Sequence, residues 1–180
     1  MKEGARYVGR LFRGLVYLDE DEGSELLRKG YGRRGRNKVV LSPVEAAYLV
    51  FLNKLEVRER GKSVSFEELM VKFSSADERF FPKFLVYRDL REKGYVVREG
   101  YGDGIDFLVF DRGDFPEKPA KFRVIGVDEG HPVSVRRLMD TLDFSMLNKK
   151  ELKLAVIERR GEVVYYTLER FSKERLKDEG

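Results

Sequence analysis

A basic segment near the amino end contains the side chains best suited to contact phosphate. Residues 28–38, with the sequence RKGYGRRGRNK, include six basic side chains and three glycines in eleven positions. This composition predicts a flexible, exposed, positively charged loop, and Arg33, Arg34 and Arg36 are its candidate RNA-binding residues. A solvated connection in a basic protein would have the same composition. The pattern leaves both interpretations open.

Groups for nucleophilic, redox or metal chemistry are scarce. The chain has no Cys and one His, which excludes disulfides and thiolate metal sites and leaves a zinc ion only an unfavourable carboxylate ligand set. We therefore expect no metal and no cofactor. His131 lies in the sequence DEGHPVS, beside a proline and just before a predicted helix, and this context is typical of a loop histidine.

Capping motifs mark the helices of the first half. Ser42 and Glu45 form a capping box around Pro43, and a second capping box begins at Ser65. Apolar residues at helical spacing predict that the first helix extends to near Gly61. A third helix is predicted over residues 77–93. Before these helices, residues 7–17 predict short strands, and the acidic residues 19–23 predict a turn.

The second half has a different periodicity. Alternating or fully apolar runs predict five strands, over residues 95–98, 105–110, 122–127, 152–157 and 163–168. One helix interrupts them from Ser134, with a stripe that we expect to be buried: Val135, Leu138, Met139, Leu142 and Met146. The residues Arg159-Arg160-Gly161 predict a tight hairpin between the last two strands.

These elements predict an α+β fold in two parts. The first part, residues 1–80, has a small β-element and three helices that extend to the boundary or across it. The second part, residues 81–180, has a mixed β-sheet with a helix packed on one face. The change of periodicity after Gly94 places the boundary within or just before the third helix.

Composition limits the class of protein. The 180 residues are 42% hydrophobic and 38% charged, with a net charge of +4. We expect a soluble globular protein of the cytoplasm, because no apolar run is long enough to span a membrane and the amino end is charged where a signal peptide would be apolar. The charged fraction is typical of proteins from hot environments.

Several ordered segments resemble one family. LSPVEAAYLVFLNKLEV, SFEELMVKF, FLVYRDLREKGYVVREGYGDGIDFLVF, KKELKLAVI and GEVVYYTLERF follow one another as in the archaeal tRNA-splicing endonucleases, over residues 16–171. The resemblance implies a restriction-endonuclease-like second domain. It also implies metal-independent cleavage of precursor tRNA at a bulge-helix-bulge, which leaves a 2′,3′-cyclic phosphate and a 5′-hydroxyl.

That chemistry needs a general base, a general acid and a cation, and the family uses Tyr, His and Lys. The resemblance places Phe110 where the family has Tyr and Ala120 at about the position of its His. Lys150, or Lys149 if the register slips by one, occupies the position of its Lys. The family also has a base-clamping arginine in the helix before this lysine, and no Arg lies between Arg137 and Arg159 here, so the resemblance implies that this contact is lost as well. The resemblance therefore implies a vestigial site in a structural subunit.

The implied partners are a catalytic paralogue and precursor tRNA, with two heterodimers forming a tetramer. The last strand, with Val163, Val164, Tyr165 and Tyr166, is the expected subunit interface. The hairpin over residues 158–162 has mixed charge where relatives often have an acidic docking loop. Two alternatives stay open: a competent nuclease with relocated groups such as Tyr101 or His131, and a stand-alone RNA-binding protein.

Overall fold

The computed structural model describes residues 6–101 and 104–170 of the chain. Within these ranges there are eleven strands, in two mixed sheets, and five helices. The predicted α+β class is confirmed. None of the helices within these ranges has the length and apolar character that crossing a membrane would require.

The first sheet is larger than the predicted small β-element. Its six strands lie in the order β3-β4-β2-β1-β5-β6. Only β1 and β5 pair in parallel, and the other neighbours are antiparallel. The strands are β1 (Tyr7–Phe12), β2 (Leu15–Asp19), β3 (Arg33–Arg34), β4 (Lys38–Leu41), β5 (Leu55–Glu59) and β6 (Lys62–Val64).

Four helices belong to the first part of the chain or connect it to the second: α1 (Glu20–Arg28), α2 (Pro43–Phe51), α3 (Phe66–Ala76) and α4 (Phe80–Glu92). Both predicted capping boxes are present. The Ser42 and Ser65 hydroxyls accept hydrogen bonds from Glu45 N and Glu68 N, and the two carboxylates accept from the backbone N–H of the serines. Local sequence therefore fixes both helix starts.

The acidic residues at 19–23 do not form the predicted turn, because they begin helix α1. Glu20, Asp21 and Glu22 lie in its first turn, where the partial positive charge of the helix amino end stabilises carboxylates. The absence of a side chain at Gly23 allows helix α1 to pack closely against Val39 of β4. A Cβ atom at this residue would lie 2.5 Å from a methyl group of Val39.

Helix α2 does not extend to Gly61 as predicted. It ends at Phe51, and Asn53 adopts a positive φ of 55° that breaks the helical path. Leu55 then pairs with Tyr7 as part of β5. Gly61, with a φ of 82°, makes the turn between β5 and β6. The pairing of β5 with β1, which is distant in sequence, therefore determines the structure of this segment, although its apolar residues have helical spacing.

The basic segment is not the flexible loop that its composition predicts. Arg33 and Arg34 form β3, which pairs with Val40 and Val39 of β4. Gly30 and Gly32 are buried. The Gly30 carbonyl accepts hydrogen bonds from Arg91 Nη2 at 2.7 Å and from Arg98 Nη1 at 3.0 Å. Two guanidinium groups from the second half of the chain therefore hold the start of this segment.

The second sheet has five strands in the order β11-β10-β9-β8-β7, and all five predicted strands are confirmed. They are β7 (Val96–Glu99), β8 (Phe107–Phe110), β9 (Phe122–Asp128), β10 (Glu151–Ile157) and β11 (Val163–Leu168). The strands β9 and β10 are parallel, and the other pairs are antiparallel. The predicted hairpin joins β10 to β11, with Gly161 at a φ of 80°.

The predicted helix from Ser134 is present as α5 (Val135–Leu147), but its apolar stripe is not the buried face that we expected. Val135 is 70% exposed and Met139 is 48% exposed, whereas Thr141 and Ser145 are buried. The helix therefore rests on the sheet through small polar residues. It leaves apolar side chains at the surface.

One hydrophobic core joins the two sheets. Tyr87 of α4 contacts Tyr48 of α2 and Phe107 of β8, with ring centroids 5.7 and 5.8 Å apart. Burial raises the pKa of Tyr87 well above its usual value. Glu45, which is buried, pairs with Arg98 at 3.1 Å. The division of the chain at residue 80 stays a prediction.

Candidate functional site

The second sheet brings the three predicted site positions to one end. Phe122, the first residue of β9, is paired with Val109 of β8 and with Glu151 of β10. Phe110 ends β8, and Ala120 and Lys150 come just before β9 and β10. The positions therefore lie at the same edge of three adjacent strands, across about 10 Å for two strand spacings.

Phe110 at this edge packs against a ring of its own chain. Its centroid lies 5.2 Å from that of Phe115, with the ring planes inclined by 75°. The Arg98 guanidinium carbon lies 5.7 Å from the centre of the Phe115 ring. The connection between β8 and β9 thus folds back over Phe110. This position supplies packing and has no group that could transfer a proton.

The other two positions differ in character. Ala120 is buried, and the next residue, Lys121, donates its backbone N–H to Val109 O at 2.7 Å. Lys150 is half-buried, and its ammonium group makes no ion pair with any residue in the described ranges. Lys149 has a positive φ of 52° at the turn after α5. Of the three predicted positions, Lys150 is the one that carries a cation, and the neighbouring Lys121 is paired with Asp111.

His131 and Tyr101 lie at the opposite end of the sheet. His131 follows the last residue of β9, and its Nδ1 lies 3.2 Å from Asp128 Oδ2. Six residue steps separate Phe122 from Asp128, which is about 20 Å along a strand. Tyr101 follows β7 at the edge where β8 begins, and its side chain is exposed. His131 is therefore too far from Lys150 to act together with it, and Tyr101 is separated from β10 by the strands β8 and β9.

Sequence reasoning missed Arg123 on β9. Its guanidinium carbon lies 4.9 Å from the centre of the Phe144 ring on α5. Its Nε and Nη1 atoms are buried and have no hydrogen-bond partner among the described residues. The alternation of β9 could have suggested it, because Arg123 is a basic residue between buried apolar neighbours.

The expected interface residues divide between the two faces of β11. Val163 and Tyr165 pack toward α4, and the Tyr165 hydroxyl donates to Asp89 Oδ2 at 2.7 Å. Burial and this carboxylate raise the pKa of Tyr165. Val164 and Tyr166 are on the same face as α5, because Tyr166 pairs with Leu154. Tyr166 is 55% exposed.

The hairpin after β10 is tied to its own chain. Glu158 N donates to Glu162 O at 2.9 Å and closes the turn. Arg159 contacts Glu129, with 3.2 Å between its backbone N and a carboxylate oxygen and 4.0 Å between Nε and the other oxygen. The mixed charge of this hairpin is therefore partly neutralised internally.

The basic segment lies apart from the sheet edge that holds Phe110 and Lys150. Arg33 and Arg34 are at the edge of the first sheet, and Arg36 follows them before β4. All three side chains are exposed. Arg34 Nε lies 3.6 Å from Glu20 Oε1, across the start of α1. These arginines belong to a different surface from the predicted catalytic positions.

Comparisons with known proteins cover both parts of the chain. Residues 8–70 match the family model described as tRNA intron endonuclease, N-terminal domain, and residues 80–165 match tRNA intron endonuclease, catalytic C-terminal domain. A tRNA-splicing endonuclease of Methanococcus vannielii is 35% identical over 86% of this chain and 88% of its own length. One from Thermococcus kodakarensis is 34% identical over 84% of this chain and 89% of its own length.

Proposed function

The chain belongs to the tRNA-splicing endonuclease family, and we propose that it is the structural subunit of a heteromeric enzyme. In this proposal a catalytic paralogue excises introns from precursor tRNA at bulge-helix-bulge sites in the cytoplasm. The products have 2′,3′-cyclic phosphate and 5′-hydroxyl ends. Two heterodimers form the working tetramer.

The sheet edge at Phe110, Ala120 and Lys150 is the observation that carries this proposal. Attack of a 2′-hydroxyl on the adjacent phosphate needs a base for the hydroxyl proton and an acid for the departing 5′-oxygen. A phenyl ring and a methyl group can do neither. Lys150 could still place a positive charge near a phosphate, but charge stabilisation alone does not move the two protons.

The geometry also argues against relocation of the missing groups. The whole sequence contains a single His, and His131 lies at the far end of β9. Tyr101 lies two residues beyond Glu99 of β7, whose register through Phe107 leads to Val124 of β9, and β8 and β9 separate β7 from β10. His131, beyond Asp128, is about 20 Å from the edge that holds Lys150. A relocated nuclease would need a different cation, and it would not use the family's sheet edge.

The exposed side of β11 supports a role in assembly. This strand is at the edge of the second sheet, so its outer backbone N–H and C=O groups are available to pair with another strand. Tyr166 adds an exposed aromatic ring on the face shared with α5, whose Val135 and Met139 are exposed too. A partner sheet that continues past β11 would cover this apolar surface.

Purification with and without the catalytic paralogue tests the proposal. We expect the chain alone to leave a bulge-helix-bulge RNA intact and the co-purified complex to cleave it without added metal. Lys150→Ala in this chain should leave the activity of the complex within about twofold, because no base or acid accompanies Lys150 at the edge of Phe110 and Ala120. The matched lysine change in the paralogue should abolish cleavage. Efficient cleavage by this chain alone would overturn the proposal.

A further inference from the structure

One face of the six-stranded sheet is packed against helices, and most side chains of the other face are exposed, with Val40 as a buried member. Side chains of β1 alternate strictly between the two, with Tyr7 and Leu11 in the core and Val8, Arg10 and Phe12 outside. Helices α1 and α2 lie on the core side. The second face, which we call the outer face, holds the side chains of Val8, Arg10, Phe12, Leu15, Tyr17, Asp19, Arg33, Lys38, Val40, Glu56, Arg58 and Ser63, with Arg13 beside Phe12.

The strand register places basic and aromatic groups of the outer face in one row. Arg10 is paired with Tyr17 on one side and with Arg58 on the other. The row continues through Val40 to Arg33, and through Ser63 at the opposite edge. It crosses all six strands, a width of about 24 Å at the usual strand spacing. Three arginines thus lie along a single line.

Aromatic rings of the outer face lie beside this row. Phe12 is 57% exposed, although a phenyl ring in contact with water is unfavourable. Its centroid lies 6.5 Å from that of Tyr17, and the Arg13 guanidinium carbon lies 5.3 Å from the Phe12 ring centre. Together they form an accessible patch of two rings and a guanidinium plane.

Two basic residues of the outer face are neutralised by ion pairs within the chain, and the charges that remain are positive. Lys38 is paired with Asp19 at 2.6 Å, and Arg58 with Glu56 at 2.8 Å. Arg10, Arg13 and Arg33 make no ion pair with any residue in the described ranges. Three guanidinium groups without an ion pair therefore remain, although Arg10 is also attracted to Asp19, and they favour a polyanionic ligand.

We propose that the outer face of the first sheet binds an unpaired RNA segment. Arg10, Arg13 and Arg33 contact phosphates, and exposed bases stack on Phe12 and Tyr17. An open sheet with surface aromatics suits single strands, because a duplex hides the base faces that stacking requires. This inference rests on membership of a family that acts on RNA. It concerns a surface separate from the sheet edge at Phe110 and Lys150.

Binding of a short fluorescein-labelled oligouridylate to the full-length chain tests this surface. Fluorescence anisotropy would be measured across a salt series. Arg10→Glu should weaken binding about tenfold and reduce the salt dependence. Arg28→Glu is the matched control, because Arg28 is exposed on α1 and the net charge changes equally. It should weaken binding much less.

The aromatic contact has its own pair of variants. Phe12→Ala should weaken binding about fivefold or more and leave the salt dependence unchanged, because stacking releases no counterions. Phe81→Ala removes a phenyl ring of similar exposure, 51%, from α4 on another surface, and should have no effect. A duplex RNA of the same length should be bound more weakly than the single strand.

Several results would overturn the proposal. They are absence of binding by the unaltered chain, equal effects of Arg10→Glu and Arg28→Glu, and equal effects of Phe12→Ala and Phe81→Ala. Retained RNA binding by Arg10→Glu together with loss of a co-purifying paralogue would assign the face to a protein instead. The assay has no cleavage step. Its outcome is therefore independent of whether the chain is catalytic.

Discussion

Phe110 and Phe115 pack edge to face with their centroids 5.2 Å apart, so the end of β8 is closed by the connection that follows it. This contact uses a sheet position that the family resemblance associates with a tyrosine hydroxyl. The half-buried phenyl ring makes this contact without a hydroxyl that would need a hydrogen-bond partner. Position 110 therefore contributes to packing, and in the proposed function it has no catalytic role.

Phe110→Ala should therefore lower the free energy of unfolding. The half-buried ring loses its contact with Phe115, at a cost of about 2 kcal/mol, below the range for a fully buried phenylalanine. Phe81→Ala on the exposed side of α4 is the control and should cost under about 1 kcal/mol. Urea denaturation would measure both. Equal losses of unfolding free energy in the two variants would show that the contact between Phe110 and Phe115 does not stabilise the fold.

Tyr166→Asp should separate this chain from its paralogue. In the proposed assembly a carboxylate would enter an apolar interface, at a cost of about 3 kcal/mol or more. Tyr101→Asp introduces the same charge at an exposed residue outside the second sheet and should leave the complex intact. Size-exclusion chromatography with light scattering would measure the masses. An intact complex with Tyr166→Asp would mean that the interface lies elsewhere.

Tyr165→Phe should affect folding without affecting assembly. It removes the hydrogen bond to Asp89, at a cost of about 1 kcal/mol at neutral pH. Tyr166→Phe is the control on the opposite face of β11, and it should be neutral for stability. Thermal unfolding and the co-purified mass would be measured for both. Loss of the complex in Tyr165→Phe would contradict the division of β11 into two faces.

The same residue predicts a pH dependence. Burial and Asp89 raise the pKa of Tyr165, so the folded chain holds the phenolic proton more tightly than the unfolded chain. The stability from this proton is complete below the unfolded pKa of about 10 and is lost as the pH rises above it. Unfolding free energies measured between neutral and strongly alkaline pH should fall less steeply in Tyr165→Phe. Parallel curves would contradict this assignment.

Glu45→Ala should be one of the most damaging single changes. Glu45 accepts from the backbone N–H of Ser42 and of Gly32, both at 2.9 Å, and pairs with Arg98. Loss of a buried charge partner costs about 3 kcal/mol or more. Glu68→Ala removes the equivalent residue of the exposed capping box and should cost about 1 kcal/mol. Similar denaturation midpoints for the two variants would contradict this reasoning.

Features of the fold that depend on neighbouring residues could be predicted from the sequence, and features that depend on distant residues could not. The helix starts at Ser42 and Ser65 are fixed by residues within one turn, and sequence reasoning found both. Helix α1 was missed because the role of Gly23 depends on Val39, which is distant along the chain and lies against it only after folding. The early end of α2 was missed for a similar reason, since Leu55 pairs with Tyr7.

The candidate site likewise has features that the sequence could predict and features that it could not. The assignment of Phe110 and Lys150 to the family's site rests on the resemblance and stays a prediction, while the strand register places both at one edge of the second sheet. The contact between Phe110 and Phe115 could not be predicted, because it depends on how an irregular connection folds back. Exposure of Val135 was unexpected because periodicity identifies an apolar stripe but not what covers it. A partner subunit would supply that cover in the proposed assembly.

The parallel pairing of β1 with β5 sets an order for folding during synthesis. The strands β1, β2 and β4 can pair once residues up to Leu41 have left the ribosome, because these pairings are antiparallel and closer in sequence than the pairing of β1 with β5. The strand β5 must come from farther along the chain and lie on the other side of β1. Arg10 and Arg58 therefore become neighbours late, so a nascent chain has no complete outer face until its sixth strand can form.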